Sequence, residues 1–167
     1  LGAEVQTSAL AKLTPAQEGA VIDVDGVRVE VLHAPKNVSL STGNEASNVY
    51  RVSYGDTSFL FTGDLVEAQE EEVMKKSRRI QSTVLQVGHH GSDTSSSPAF
   101  VAAVRPAWAV ISVGADNPFG HPRQKVVARL AEAGAEICRT DEDGAIVFRS
   151  DGQRLRVERY RERGRWE

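Results

Sequence analysis

Cysteine, methionine and histidine are all scarce in this chain, and each scarcity excludes something. The single Cys138 rules out an internal disulfide and any metal cluster built on cysteine alone, while fitting either side of a membrane. No apolar run approaches the roughly 18 residues that cross a bilayer, and no stretch reads as a signal peptide, so the chain taken alone is expected to be soluble. Charge of one sign is lacking too. A net charge of -3 gives no global pull toward nucleic acid, so a phosphate-bearing partner must be met by a local basic patch or by bound cations. Histidine is limited to His33, His89, His90 and His121, and no H-x-H-x-D-H cluster occurs. A binuclear hydrolytic site takes more ligands than this set supplies. The sequence opens at Leu1 and its one methionine is Met74, so a processed or excised chain is expected.

What is present is ordinary globular material. With 167 residues, 40% hydrophobic and 26% charged, the chain can build one sizeable core, and a single domain over 1–167 is expected. A short helix is predicted over Val5 to Lys12, then a hairpin of Gly19 to Asp23 and Val27 to Leu32 about Asp25-Gly26. Residues Pro35 to Ala46 are a loop by composition. Strands Asn48 to Tyr54 and Ser58 to Phe61 form a second hairpin around Gly55-Asp56. Apolar Val66, Val73 and Met74 at helical spacing make Leu65 to Arg79 a surface helix. Thr83 to Val87, Pro98 to Val104, Ala107 to Val113, Pro122 to Ala133 and Ala135 to Cys138 then alternate strand and helix, an α/β pattern. Strands Ala145 to Arg149 and Leu155 to Arg159 close the pattern around Asp151-Gly152. The tail from Arg154 to Glu167, with Tyr160 and Trp166, reads as a solvated chain end.

Three motifs fall where predicted strands run out into polar loops, the place where an α/β sheet offers side chains to a ligand. They are Thr62-Gly63-Asp64-Leu65, Gly88-His89-His90-Gly91-Ser92 and Gly120-His121-Pro122. Aspartate and histidine suit zinc or manganese. Asp64 is either a metal ligand or the N-cap of the next helix. Adjacent His89 and His90 are expected to project to opposite sides, one toward a metal and the other toward the loop or substrate. Ser92 and Thr94 offer hydroxyls and amides to a phosphate oxygen. His121 precedes a proline suited to the first helical position, which makes it an N-cap able to hydrogen-bond a phosphoryl oxygen or protonate a leaving group. Asp141-Glu142-Asp143-Gly144 lacks the later glutamate of a calcium loop and reads as a hairpin turn.

Together with Val29 to His33, Asn44, Ser47, Phe59 to Leu65, Val84 to Ser92, Ile111 to Gly114, Asn117 and Arg139-Thr140-Asp141, these motifs resemble the metallo-β-lactamase-like domain of ComEC/Rec2 DNA-internalisation competence proteins. The likeness runs from about residue 20 to 150. The resemblance implies an αββα sandwich, here its C-terminal portion and incomplete on the N-terminal side, with residues 151–167 as the final strand and basic tail. It further implies two divalent metal ions (Mn or Zn) in the complete domain, with Asp64 bridging them and either His89 or His90 as a ligand. His121 joins Asp64 in catalysis, and Asn44, Ser47, Ser92 and Asn117 line the substrate. The implied partners are DNA and the rest of a membrane channel protein, placing a soluble domain on the outer or periplasmic side of a bacterial envelope, where it degrades the strand that is not imported. Without the upstream ligands the chain is expected to bind metal weakly and hydrolyse little. Its uncovered sheet is expected to promote self-association. Rival readings are hydrolysis of a small ester, lactone, lactam or phosphocholine substrate, and a non-catalytic module that binds nucleic acid or a partner.

Overall fold

Two tight antiparallel hairpins start the sheet, as the sequence expects. The computed structural model describes residues 16–35, 46–77 and 79–161; the expected helix at Val5 to Lys12, Asn44, most of the 35–46 loop and Trp166 lie outside them. Strands β1 (Val21–Val24) and β2 (Val27–His33) turn through Asp25 at φ 49° and Gly26 at φ 82°, the paired left-handed conformation that a two-residue hairpin needs. β3 (Val49–Tyr54) and β4 (Thr57–Phe61) follow as a second hairpin, turning through Gly55 at φ 53° and Asp56. Then the connections change character. β4, β5 (Val84–Gln86), β6 (Trp108–Ile111) and β7 (Glu136–Arg139) pair in parallel, so all seven strands form one sheet in sequence order. Parallel neighbours require crossovers. These carry α1 (Glu67–Lys76), α2 (Pro98–Val104) and α3 (Gln124–Glu132).

Alternation along the strands decides which face meets which layer. Leu60, Leu85, Ala109 and Ile111 point into a core shared with Val73 of α1, Phe100, Val101 and Val104 of α2, and Val126 and Leu130 of α3. The alternate residues Phe59 and Trp108 point the other way and meet Phe148 edge-on, at ring separations of 6.1 and 5.8 Å. Phe148 belongs to β8 (Ala145–Ser150), which pairs with β9 (Leu155–Tyr160) as a separate two-stranded sheet. Helices, a large sheet and a second sheet are thus stacked in order, as a sandwich requires.

Two sequence expectations are corrected. Asp141-Glu142-Asp143 is not a plain turn but a single-turn helix, α4 (Thr140–Asp143), in which the Asp143 carboxylate accepts from the Arg139 amide at 2.9 Å and Asp141 pairs with the Arg139 guanidinium at 2.6 Å. α1 starts at Glu67 with Val66 at its N-cap, and Leu65 is fully buried in the core instead. Asp64 therefore caps nothing.

The second sheet covers only part of the face it packs on. Ile22 pairs with Val29, Val29 with Val52 and Val52 with Phe59, so these four share one face, and the next rows bring in Val24 and Phe61. Ile22, Val24 and Phe61 are 56%, 58% and 44% exposed. A contiguous apolar strip of this kind drives association. Sedimentation velocity is expected to show concentration-dependent self-association, suppressed by Ile22→Lys with Val24→Lys; a monomer at all concentrations would contradict this.

Candidate metal centre

The carboxyl ends of β4, β5 and β6 lie side by side, and the three motifs leave from them in order. The Thr62-Gly63-Asp64 turn is held from β5. The Gln86 side-chain oxygen accepts from the Thr62 and Gly63 amides, both at 2.9 Å, and the Thr62 hydroxyl donates to the Gln86 carbonyl at 2.9 Å. Ser47 accepts from the Asp64 amide at 3.0 Å, which places it behind the carboxylate as a support. The His89 amide donates to the Gly63 carbonyl at 3.0 Å, tying the histidine turn to the aspartate turn.

Both histidines stand in the left-handed region, at φ 49° and 54°, and not on a strand end as the sequence reading expects. This conformation is unfavourable for residues with a Cβ and clusters at functional sites. It sends the two rings to different neighbours. His90 Nδ1 lies 2.7 Å from the Ser112 carbonyl, and its Nε2 faces Asp64 Oδ1 at 3.5 Å. His89 Nδ1 lies 3.3 Å from the Thr94 hydroxyl, and its ring meets His121 edge-on at 5.8 Å. An Nδ1 anchored to an oxygen presents Nε2 outward, the arrangement found behind metal-binding histidines.

His121 does not cap α3. The His121–Pro122 peptide is cis, Pro122 packs against Gly91, and the Arg123 amide donates to the Gly91 carbonyl at 2.9 Å, so the helix starts only at Gln124 with Arg123 as its N-cap. Asn117 fixes His121 instead: its amide group donates to the His121 carbonyl at 2.7 Å and its oxygen accepts from the His121 amide at 2.9 Å. Burial first, then the positive charge of Arg123 and the neighbouring histidines, pushes the His121 imidazole below its ordinary value, so the ring is neutral at neutral pH. Its Nδ1 is buried without a hydrogen-bond partner.

The structure pairs Asp64 with His90 and His89 with His121, with Ser47 supporting Asp64 and Asn117 supporting His121. Ser92 is buried at 4% exposure, its hydroxyl 3.0 Å from that of Thr94, and so serves the loop's own shape. Sequence reasoning missed Gln86 and Thr94 as supports. A lone polar residue inside the apolar run Val84-Leu85-Gln86-Val87 was the available signal for Gln86.

A third missed support is Glu70 of α1, 1% exposed, whose carboxylate accepts from the Ser96 and Ser97 amides and so holds the loop beyond the histidines. Desolvation outweighs those hydrogen bonds and raises its pKa above 4.5. A raised acid favours the fold while protonated; that contribution is complete below the unfolded value and is lost as pH rises through the folded one. Glu70→Gln is therefore expected to flatten the decline of stability with pH above about 4.5, read from urea midpoints between pH 4 and 8. A slope equal to that of the parent would refute this account.

Whether these residues suit a divalent cation is decided by the donor set. Asp64 and His90 face each other, the two anchored imidazoles are of the right type, and the Nδ1 of His121 is a buried ring nitrogen without a hydrogen-bond partner. Yet among the described residues no group of three or more His, Cys, Asp or Glu is close enough to close a metal site. The donors present suit a divalent cation in type and do not, among the described residues, close a site around one.

A mixed sheet between helices and a second sheet, with Asp and His beyond the carboxyl ends of its parallel strands, defines the class as an α/β sandwich domain. More particularly, the chain belongs to the Metallo-beta-lactamase superfamily, which matches residues 7–115. It is 35% identical over 133 residues to ComE operon protein 3 of Bacillus subtilis, covering 80% of this chain and 17% of that protein. It is 39% identical over 142 residues to competence protein ComA of Neisseria gonorrhoeae, covering 81% and 20%, and 35% identical over 136 residues to recombination protein 2 of Haemophilus influenzae, covering 81% and 17%. The chain thus spans no more than 20% of the length of these relatives. Among the described residues no helix is long and apolar enough to cross a membrane.

Proposed function

We propose that this chain is part of a metal-dependent phosphodiesterase domain in a bacterial DNA-uptake protein of the cell envelope, acting on the DNA strand that is not imported. The observation that carries the reading is the pairing of Asp64 with His90 Nε2 while His90 Nδ1 is anchored to a backbone carbonyl. The similarity to competence proteins supplies the context. Asp64, His90 and His89 would hold the divalent ions, with the remaining ligands and the channel coming from the rest of the protein. Bound there, such ions supply Lewis acidity and lower the pKa of a coordinated water.

The chain's own residues orient and exchange protons. Asp64, fixed through its backbone amide by Ser47 and through its turn by Gln86, presents a carboxylate in a constant position. Neutral His121, gripped on both sides of its backbone by Asn117, can hold a proton on one ring nitrogen and hydrogen-bond a phosphoryl oxygen with it. Cleavage of a labelled single-stranded oligonucleotide, assayed with Mn²⁺ and with EDTA, tests the reading on this chain and on the longer protein. Metal-dependent cleavage by the longer protein and little by this chain is the expected result. Hydrolysis of a lactone or thioester with no cleavage of DNA would overturn it.

A further inference from the structure

Phe119 is 69% exposed, more than any other large apolar residue described. Isolated exposed apolar side chains are common and call for no explanation, but this ring is not isolated. It lies parallel to His121 at 6.0 Å and 20°, and His121 in turn meets His89 at 5.8 Å. Three rings therefore run from the loop tip to the candidate metal centre. The loop is held in shape at its base, where the Asn117 amide group donates to the Gly114 carbonyl at 3.0 Å and to the His121 carbonyl at 2.7 Å.

Cations follow the aromatic ring. A Cβ placed on Gly120 would lie 3.3 Å from Arg123 Nη1, so the guanidinium sits against the backbone next to Phe119. Lys125 is exposed two residues further on and shares its charge with Asp93 at 2.8 Å. Asp93 and the exposed Asp116 are the acidic groups of this rim. An exposed aromatic face flanked by Arg and Lys is the combination that receives unpaired nucleotides: the base stacks, and the phosphate meets the cation. A base within a duplex has both faces covered by its neighbours and offers neither to a side chain.

We propose that Phe119 is a stacking platform for an unpaired base adjacent to the phosphate held at the metal centre, with Arg123 contacting the backbone, so that the site selects single-stranded DNA. This rests on the phosphodiesterase reading and adds the structural form of the substrate to it. Binding is measured by fluorescence anisotropy with a labelled thymidine dodecamer and with an abasic strand of the same length, once in EDTA and once with Ca²⁺. The parent protein is expected to hold the thymidine strand about tenfold more tightly than the abasic one. Phe119→Ala should erase that difference and Phe119→Trp should keep it, with circular dichroism showing both variants folded. A thymidine preference that survives Phe119→Ala, or none under either condition, overturns the inference. Cleavage is scored separately. Cleavage without base preference defeats the stacking platform and spares the phosphodiesterase, whereas base preference without cleavage does the reverse.

Discussion

Calorimetric titration of Mn²⁺ into the Asp64→Ala protein is expected to give no binding heat where the parent chain gives weak binding. In the longer protein the same change should lower metal-dependent phosphodiester cleavage by more than about 100-fold, the upper range for removing an outer-shell partner of a metal. On the proposed reading the Asp64 carboxylate would be the negatively charged donor of the cluster, and its loss would leave the charge of a cation there without an offset from this side. Folding should hardly change. The Asp64 side chain is 43% exposed and its partner His90 51%, and exposed pairs contribute about 0–1 kcal/mol. A shift of the urea midpoint equivalent to less than about 1 kcal/mol, together with loss of the binding heat, separates ligation from structure. Unaltered Mn²⁺ binding would remove Asp64 from the site.

Gly91→Ala is expected to do the opposite and damage the fold first. Gly91 has φ 80°, and a Cβ there would sit 2.6 Å from Pro122 Cβ and 3.2 Å from Pro122 Cα. Relief would require the His121–Pro122 backbone to move away from the histidine turn, which also accepts the Arg123 amide at Gly91. Left-handed strain and overpacking each cost about 1–3 kcal/mol, so a loss of at least about 2 kcal/mol in chemical denaturation is expected. Gly114→Ala is the control, since a Cβ there meets nothing within 4 Å. Equal stability of the two variants would show that the approach of Pro122 to Gly91 does not hold the loops together.

Gly91 also illustrates why part of the site was legible and part was not. The sequence places it in a glycine-flanked histidine pair and signals close backbone approach, but it does not say what approaches. The partner is Pro122, 31 positions later along the chain, and this contact moves Pro122 from the expected helix start into the loop. His121 changes role for the same reason. Local propensity reads His-Pro as a cap, whereas tertiary packing sets the helix start at Gln124. Asp64 was ambiguous between a cap and a ligand because both want a carboxylate after a strand; burial of Leu65 in the core, with Val66 at the N-cap, removes the cap.

By itself the sequence determined the order of β1 to β9 and of α1 to α3, though not α4, the hairpin turns at Asp25-Gly26 and Gly55-Asp56, and the three strand-end motifs. Hydrophobic period and turn chemistry are local, and a few neighbouring residues suffice to express them. Only the tertiary structure decided that His90 faces Asp64, that His89 faces His121, that Gln86 and Glu70 brace the loops, and that Phe119 stands at the rim. Those facts depend on which strand ends lie side by side and on backbone conformations stabilised by distant contacts, and neither is encoded within one turn or one strand.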